Sequence, residues 1–196
     1  MKKRYYAIYK PFDMLSQFTG DENASLLGDL HNFPIDVYSI GRLDKTSEGL
    51  LLLTNDNDFK NRVLDPKNKS KKTYYVQVDH DITPEACKEL SAGTISIKHE
   101  GKQHRVAPAE CIKIDEPNLP ERSVPIRFRK DIPTSWIALT LREGKNRQVR
   151  KMTAAVGFPT LRLVRYSIGS FNIGTMQPGD VLEINPIDVL PDWSNR

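Results

Sequence analysis

Gly41-Arg42-Leu43-Asp44-Lys45-Thr46-Ser47-Glu48-Gly49-Leu50-Leu51-Leu52-Leu53-Thr54-Asn55-Asp56 sets one carboxylate, Asp44, between Arg42 and Lys45 in a polar loop. Apolar runs flank the loop, Val37-Tyr38-Ser39-Ile40 before it and Leu50 to Leu53 after it. Both are short enough to be buried strands rather than helices, and Gly41 and Gly49 punctuate the segment between them. A loop held at both ends by sheet is a place where a protein can present one reactive side chain accurately. Taken alone, an Asp in a glycine-bounded loop ordinarily makes a turn or caps a helix. The rest of the chain decides between the two.

Working outward, Tyr5 to Tyr9 predicts a first strand stopped by Pro11, and residues 13–24 read as an exposed loop. Ser25 is placed to cap a short helix through about His31. Beyond the Asp44 loop, Asn55 or Asp56 should cap a helix to about Leu64, ended by Asp65-Pro66. Thr73 to Val78 alternates like a strand. Thr83-Pro84-Glu85 opens a helix that Gly93 closes. Several strands follow between 94 and 141, around a proline-rich loop from Pro117 to Pro125, then a helix at 146–156 and strands near 160–168 and at Val181 to Ile184. Strands outnumber helices without strict alternation, which predicts an α+β fold on a mixed, largely antiparallel sheet with flanking helices. Residues 1–196 read as a single domain, or as two subdomains sharing a sheet, about 1–60 and 61–196.

Composition narrows the function classes. The longest aliphatic run is the four leucines 50–53, too short for a membrane span. Cys87 and Cys111 give neither a disulfide framework nor metal spacing, and His31, His80, His99 and His104 are scattered. A cytoplasmic protein without metal or cofactor is expected. The net charge is only +4, but it is clustered, at Lys67, Lys69, Lys71 and Lys72, at Arg127, Arg129 and Lys130, and at Lys145, Arg147, Arg150 and Lys151. A charge run is usually a solvated face, which accounts for the second cluster. The first and third adjoin Tyr74, Tyr75 and a glycine-marked turn, which suits a polyanion carrying stackable bases.

Residues 144–159 sharpen that reading. Asn146 suits an N-cap, Gly157 the C′ position, and Pro159 cannot continue a helix. At helical spacing Val149, Met152 and Val156 share one face, and Arg147, Arg150 and Lys151 the opposite one. Basic residues at a helix N-terminus oppose the macrodipole, so stability alone disfavours them there. Together with the positive helix end they suit phosphates or a carboxylate.

These residues form a pattern. Gly41-Arg42-Leu43-Asp44 through Asp56 resembles the central motif of the rRNA pseudouridine synthases of the small- and large-subunit type. Lys72-Thr73-Tyr74 resembles the family's tyrosine strand. Glu143-Gly144-Lys145-Asn146-Arg147-Gln148-Val149-Arg150-Lys151-Met152 resembles its third motif, and Leu161 to Gly169 the strand that follows. Pro11 to Phe18 and Ile132-Pro133-Thr134-Ser135-Trp136 are most similar to the large-subunit synthase E group. An S4-like domain, which many relatives carry, is not expected, since the first catalytic strand begins near residue 4.

The resemblance implies isomerisation of one uridine of 23S rRNA near the peptidyl-transferase centre. The base is cut from C1′, rotated and rejoined through C5, without cofactor or metal. It implies Asp44 as the nucleophile at the sugar, Arg150 as the cation that holds it ionised, and Tyr74 as the platform for the flipped uracil. Arg42 would fill the space the base vacates. RNA contacts are expected from Arg42, Lys71, Lys72, Arg147, Gln148, Lys151 and Arg165, and Leu161 or Leu163 is expected at the pocket floor. The expected partner is 23S rRNA, as naked RNA or an assembly intermediate, met by a monomer.

Two other readings compete. A phosphate loop at Gly41 to Thr46 lacks the glycine before Lys45 and the required spacing. A non-catalytic RNA-binding or ribosome-assembly module fits the basic clusters but leaves the set Arg42, Asp44, Tyr74 and Arg150 without a purpose.

Overall fold

The computed structural model describes all residues except Met1, Pro66, Asn68, Lys69, Arg127, Phe128 and 194–196. The expected helix stop at Pro66 and the charges of Lys69 and Arg127 therefore lie outside the described residues. In chain order the elements are β1 (Tyr5–Lys10), a 3₁₀ turn (Leu27–Asp29), β2 (Tyr38–Ser39), β3 (Glu48–Thr54), α1 (Asn57–Leu64) and β4 (Lys72–Asp79). Then come α2 (Pro84–Ser91), β5 (Ser96–His99), β6 (Lys102–Arg105), β7 (Glu110–Ile114), β8 (Thr134–Leu141) and α3 (Gln148–Ala155). The chain closes with β9 (Thr160–Ile168), β10 (Phe171–Asn172), β11 (Val181–Glu183) and α4 (Pro186–Val189). The fold is α+β, and the strand ladders given below are antiparallel. By contacts the chain divides into two units, one of residues 1–70, 120–124 and 165–196, the other of 71–119 and 125–164.

In the first unit β1 pairs with β3, from Tyr5 opposite Thr54 to Lys10 opposite Gly49, and with β11 on its other side. All six residues of β1 and all seven of β3 are buried. A strand covered on both faces loses the apolar–polar alternation, which is why the leucine run 50–53 reads as continuous. Asp56 caps α1 by accepting from the amides of Asp58 and Phe59, at 3.0 and 3.3 Å. Burial pushes the Asp56 carboxyl up, but bonds from Lys3, Tyr5 and the Phe59 amide outweigh it and hold it low. Gly169 turns β9 into β10 at φ 58, and a Cβ there would stand 2.2 Å from the Val189 carbonyl, so only glycine fits.

In the second unit β8 lies between β4 and β7. β4 alternates strictly, with Lys72, Tyr74, Val76 and Val78 buried and the residues between them half-buried. α2, capped by Thr83 with Pro84 in its first turn, packs on β7. β5 and β6 form a hairpin whose turn residues, Glu100 and Gly101, both have positive φ.

Several local expectations change. The segment from Ser25 holds only a three-residue 3₁₀ turn capped at Leu26, because the Asp29 carboxylate accepts the Leu26 amide and Ser25 bridges to Met14 instead. Residues 13–24 are not uniformly exposed: Met14 and Ser16 are buried. α3 starts at Gln148 rather than 146, since Arg147 is left-handed at φ 51 and breaks the helical run, so Asn146 is not its cap. Gly157 does take the positive φ expected after the helix. β10 and α4 were not anticipated; both are too short to leave a periodic signal.

Candidate active site

The Asp44 loop is fixed by its main chain. Ser16 Oγ accepts from the Leu43 amide at 3.0 Å and donates to the Leu43 carbonyl at 2.8 Å. The Lys45 carbonyl accepts from the Asp13 amide at 2.9 Å, and the Asp44 carbonyl from the Ser47 amide at 2.9 Å. Beneath the loop Lys10 is fully buried, its ammonium donating to the carbonyls of Pro11 and Met14 at 2.7 Å and of Lys45 at 3.4 Å. Burial brings the Lys10 ammonium down to about 8, while Glu48, Asp13 and Asp44 pull the other way. Leu43 is thus pinned inward, with Asp44 half-buried and Arg42 exposed on either side of it. The geometry presents one carboxylate on a backbone that has little freedom to move.

In the second unit, the residues of the third motif are tied by side chains. Gln148 is buried; its Oε1 accepts from the Lys145 amide at 2.9 Å and its Nε2 donates to Glu143 Oε1 at 2.6 Å. Glu143 also accepts from the Ala107 amide at 2.9 Å and meets His104 Nε2 at 3.2 Å. Burial pushes the Glu143 carboxyl up, but these bonds prevail and hold it below its ordinary range. Val149 and Met152 are buried beneath α3, as the periodicity requires. Arg150 is half-buried rather than turned outward, with a weak 3.5 Å contact to the Thr160 carbonyl. Tyr74 is 8% exposed, on the same face of β4 as Val76 and Val78.

The model of the RNA pseudouridylate synthase family matches residues 4–155. The chain belongs to this family. It is 49% identical over 176 residues to a ribosomal large subunit pseudouridine synthase E of Vibrio parahaemolyticus, covering 89% of this chain and 71% of that one. A synthase E of Xanthomonas axonopodis is 44% identical over 95% of this chain and 97% of its own. A synthase B of Bacillus subtilis is 34% identical over 94% of this chain and 69% of its own. A crystal structure of a pseudouridylate synthase superposes with a TM-score of 0.75 at 22% identity, over 96% of this chain and 73% of that one, and supports the fold. The chain is therefore an enzyme, an RNA isomerase.

Against that family, the sequence-predicted residues fall into two groups. Arg42, Asp44 and Arg165 belong to the first unit, and Lys71, Lys72, Tyr74, Arg147, Gln148, Arg150, Lys151, Leu161 and Leu163 to the second. Of the expected RNA contacts, Lys72, Gln148 and Arg165 are buried. Arg165 donates through Nε to the Leu50 carbonyl at 2.7 Å, which ties β9 to β3. Arg42 and Arg147 are exposed. Lys71 pairs with Glu110 at 2.8 Å, and Lys151 donates to the Lys98 carbonyl at 2.8 Å. Sequence reasoning missed Lys10, Ser16 and His104 as supports. For Lys10 and Ser16 the one advance signal was position, since Lys10 directly precedes the quoted Pro11 to Phe18 segment and Ser16 lies within it. A cavity of about 460 Å³ in the first unit, lined by Phe18, Phe33, Ile35 and Tyr38 among others, holds none of the expected site residues. Among the described residues no helix is long and apolar enough to cross a membrane, and no cluster of His, Cys, Asp and Glu is placed to hold a metal ion.

Proposed function

We propose that this enzyme converts one uridine of 23S rRNA, near the peptidyl-transferase centre, to pseudouridine. The carrying observation is the Asp44 loop, a half-exposed carboxylate on a backbone pinned at Leu43 and Lys45. The relatives named for the large ribosomal subunit, 43–49% identical, support the choice of RNA.

In this reading Asp44 attacks the ribose and Arg150 keeps it ionised and oriented. Tyr74 stacks on the extruded uracil above Leu161 or Leu163, and Arg42 enters the vacated stack. Phosphates are met by Arg42, Lys71, Arg147 and Lys151, while Lys72, Gln148 and Arg165 support them from within. The chain acts as one catalytic domain, in the cytoplasm, as a monomer without metal or cofactor. Its substrate is naked or partly assembled rRNA, because a base in a finished subunit is harder to extrude.

Pseudouridine mapping across the rRNA of a strain lacking the gene tests this. One site in 23S rRNA should disappear, return with the wild-type gene, and stay absent with Asp44→Asn. An unchanged 23S rRNA map would overturn the choice of substrate. Offering naked 23S rRNA, assembly intermediates and intact large subunits under matched salt tests the stage of action, and preference for the intact subunit would overturn it.

A further inference from the structure

The cations of the second unit are not treated alike. Lys71, Lys113 and Arg129 are paired with Glu110, Asp81 and Asp79. Arg142 also approaches Glu110, at 3.9 Å. On the β5–β6 hairpin the pattern breaks. Lys98, Lys102 and Arg105 are exposed, and none has a carboxylate partner among the described residues. The only acid in the hairpin is Glu100 at the turn, and it lies 3.7 Å from His99.

The register shows how the hairpin divides. Ile97 pairs with His104 and is buried, and the neighbouring pairs Lys98–Gln103 and Ser96–Arg105 point to the other, exposed face. The last pair, His99–Lys102, lies on the Ile97 side, but Lys102 stands beside the turn at the hairpin tip and is exposed there. Arg105 spends Nε on the Gly93 carbonyl at 2.8 Å, which holds the guanidinium in place and leaves its terminal nitrogens for another acceptor.

An isolated two-stranded hairpin is marginal in water. This one is pinned to the third-motif helix from both strands. Lys151 of α3 donates to the Lys98 carbonyl at 2.8 Å, and His104 of β6 meets Glu143, which in turn holds Gln148 at the start of α3. Rigid, uncompensated positive charge is unfavourable for the free protein and favourable for meeting a polyanion, because little side-chain and backbone freedom is left to lose.

We propose that the β5–β6 hairpin, through Lys98 and Arg105 on its exposed face and Lys102 at its tip, is a phosphate-binding arm that extends from Lys151 of α3 and grips the backbone of the substrate RNA. The proposal rests on the reading of the chain as an rRNA-modifying enzyme and adds a contact surface to it. The arm reads no sequence, since lysines on phosphates position the RNA and do not choose the base.

The test compares Lys98→Ala/Lys102→Ala with a control of equal charge loss elsewhere in the unit, Lys88→Ala/Lys113→Ala, on transcribed 23S rRNA and on an unrelated RNA of equal length. At about 0.7 to 0.9 counterions per phosphate, the hairpin variant should show a log–log salt slope shallower by about 1.4 to 1.8, and affinity lower by roughly tenfold or more near 0.1 M salt. The loss should be the same on both RNAs, and the control should keep the wild-type slope. A Lys98→Gln/Lys102→Gln variant, which keeps long polar side chains, should behave like the alanine variant and separates charge from hairpin stability. An unchanged slope in the hairpin variants, or an equal change in the control, overturns the proposal. If the wild type converts no uridine of 23S rRNA yet the hairpin still sets the slope, the substrate reading fails and the arm stands.

Discussion

The Asp44 loop and the turn before α3 are both short, glycine-marked and basic, yet they are held by different means. Around Asp44 the ties run to main-chain atoms: Ser16 to both backbone groups of Leu43, Asp13 and Lys10 to the Lys45 carbonyl. Before α3 the ties run through the motif's own side chains: Gln148 holds Glu143 and the Lys145 amide, and Glu143 holds His104 and the Ala107 amide. Backbone anchoring fixes where a loop lies through its main chain, here with one ion pair added, Lys45 to Asp13 at 3.2 Å. Side-chain anchoring uses up the side chains, and the residues left for the RNA are those outside the network. The first arrangement suits a nucleophile, the second a binding face.

The largest expected effects come from the two residues assigned to the chemistry, one in each region. Asp44→Asn preserves shape and removes charge, so pseudouridine formation should fall below detection while RNA affinity stays near the wild-type value. Measurable turnover by Asp44→Asn would remove it as nucleophile. Arg150→Ala should also reduce turnover severely, and Arg150→Lys should recover part of it, since the charge survives but the planar fork does not. If Arg150→Ala lost activity and affinity in equal measure, Arg150 would be a phosphate contact instead.

A matched pair of substitutions tests the contrast itself. Ser16→Ala strands both backbone groups of Leu43, which should cost about 1–3 kcal/mol of stability. It should also slow turnover by roughly 10- to 100-fold, because a nucleophile displaced by about 1 Å loses that much. Gln148→Ala should cost a similar stability by freeing the Lys145 amide and Glu143, but its functional loss should fall mainly on RNA affinity. Chemical denaturation with single-turnover and binding measurements on both variants separates the two. The same phenotype from both would erase the distinction drawn here.

The difference between the two regions also explains what the sequence could show. β3 was legible because four consecutive leucines between Gly49 and the polar Thr54-Asn55-Asp56 admit few alternatives, and α3 because Val149 and Met152 keep helical spacing. The helix start was misplaced by two residues because a left-handed Arg147 leaves no compositional trace. Lys72, Gln148 and Arg165 read as surface contacts, since long polar side chains are mostly exposed and only the fold shows which are buried. Lys10 was invisible as a support for the same reason: its acceptors are carbonyls, which every residue carries.

Lys10 offers a smaller effect with a definite sign. Its folded value, about 8, lies below the ordinary 10.5, so between those values the unfolded chain binds more protons. Stability from this group should therefore rise with pH from about 8 toward 10.5, by about 3 kcal/mol in full. Tyr5 and Cys111, both pushed up by burial, act oppositely at the alkaline end, so the comparison belongs between pH 8 and 9. Denaturation midpoints of the wild type should climb across that window relative to Lys10→Met, which cannot titrate. Parallel curves would show that Lys10 is not a buried, depressed ammonium.

The smallest effect concerns Lys151, where the two modes of anchoring meet. If six phosphates are neutralised overall, the log–log salt slope should be near −5, and losing one contact should make it shallower by about one unit. Lys151, however, also pins the hairpin through the Lys98 carbonyl. Lys151→Ala should therefore subtract about one unit if Lys151 acts only for itself, and two to three if Lys98 and Lys102 lose their alignment with it. Combining it with Lys98→Ala/Lys102→Ala decides between these. Additive losses mean independent contacts, whereas a triple variant no worse than Lys151→Ala means that the hairpin works only while it is held against α3. In either case the uridine that is modified should not change, because none of these lysines reads a base.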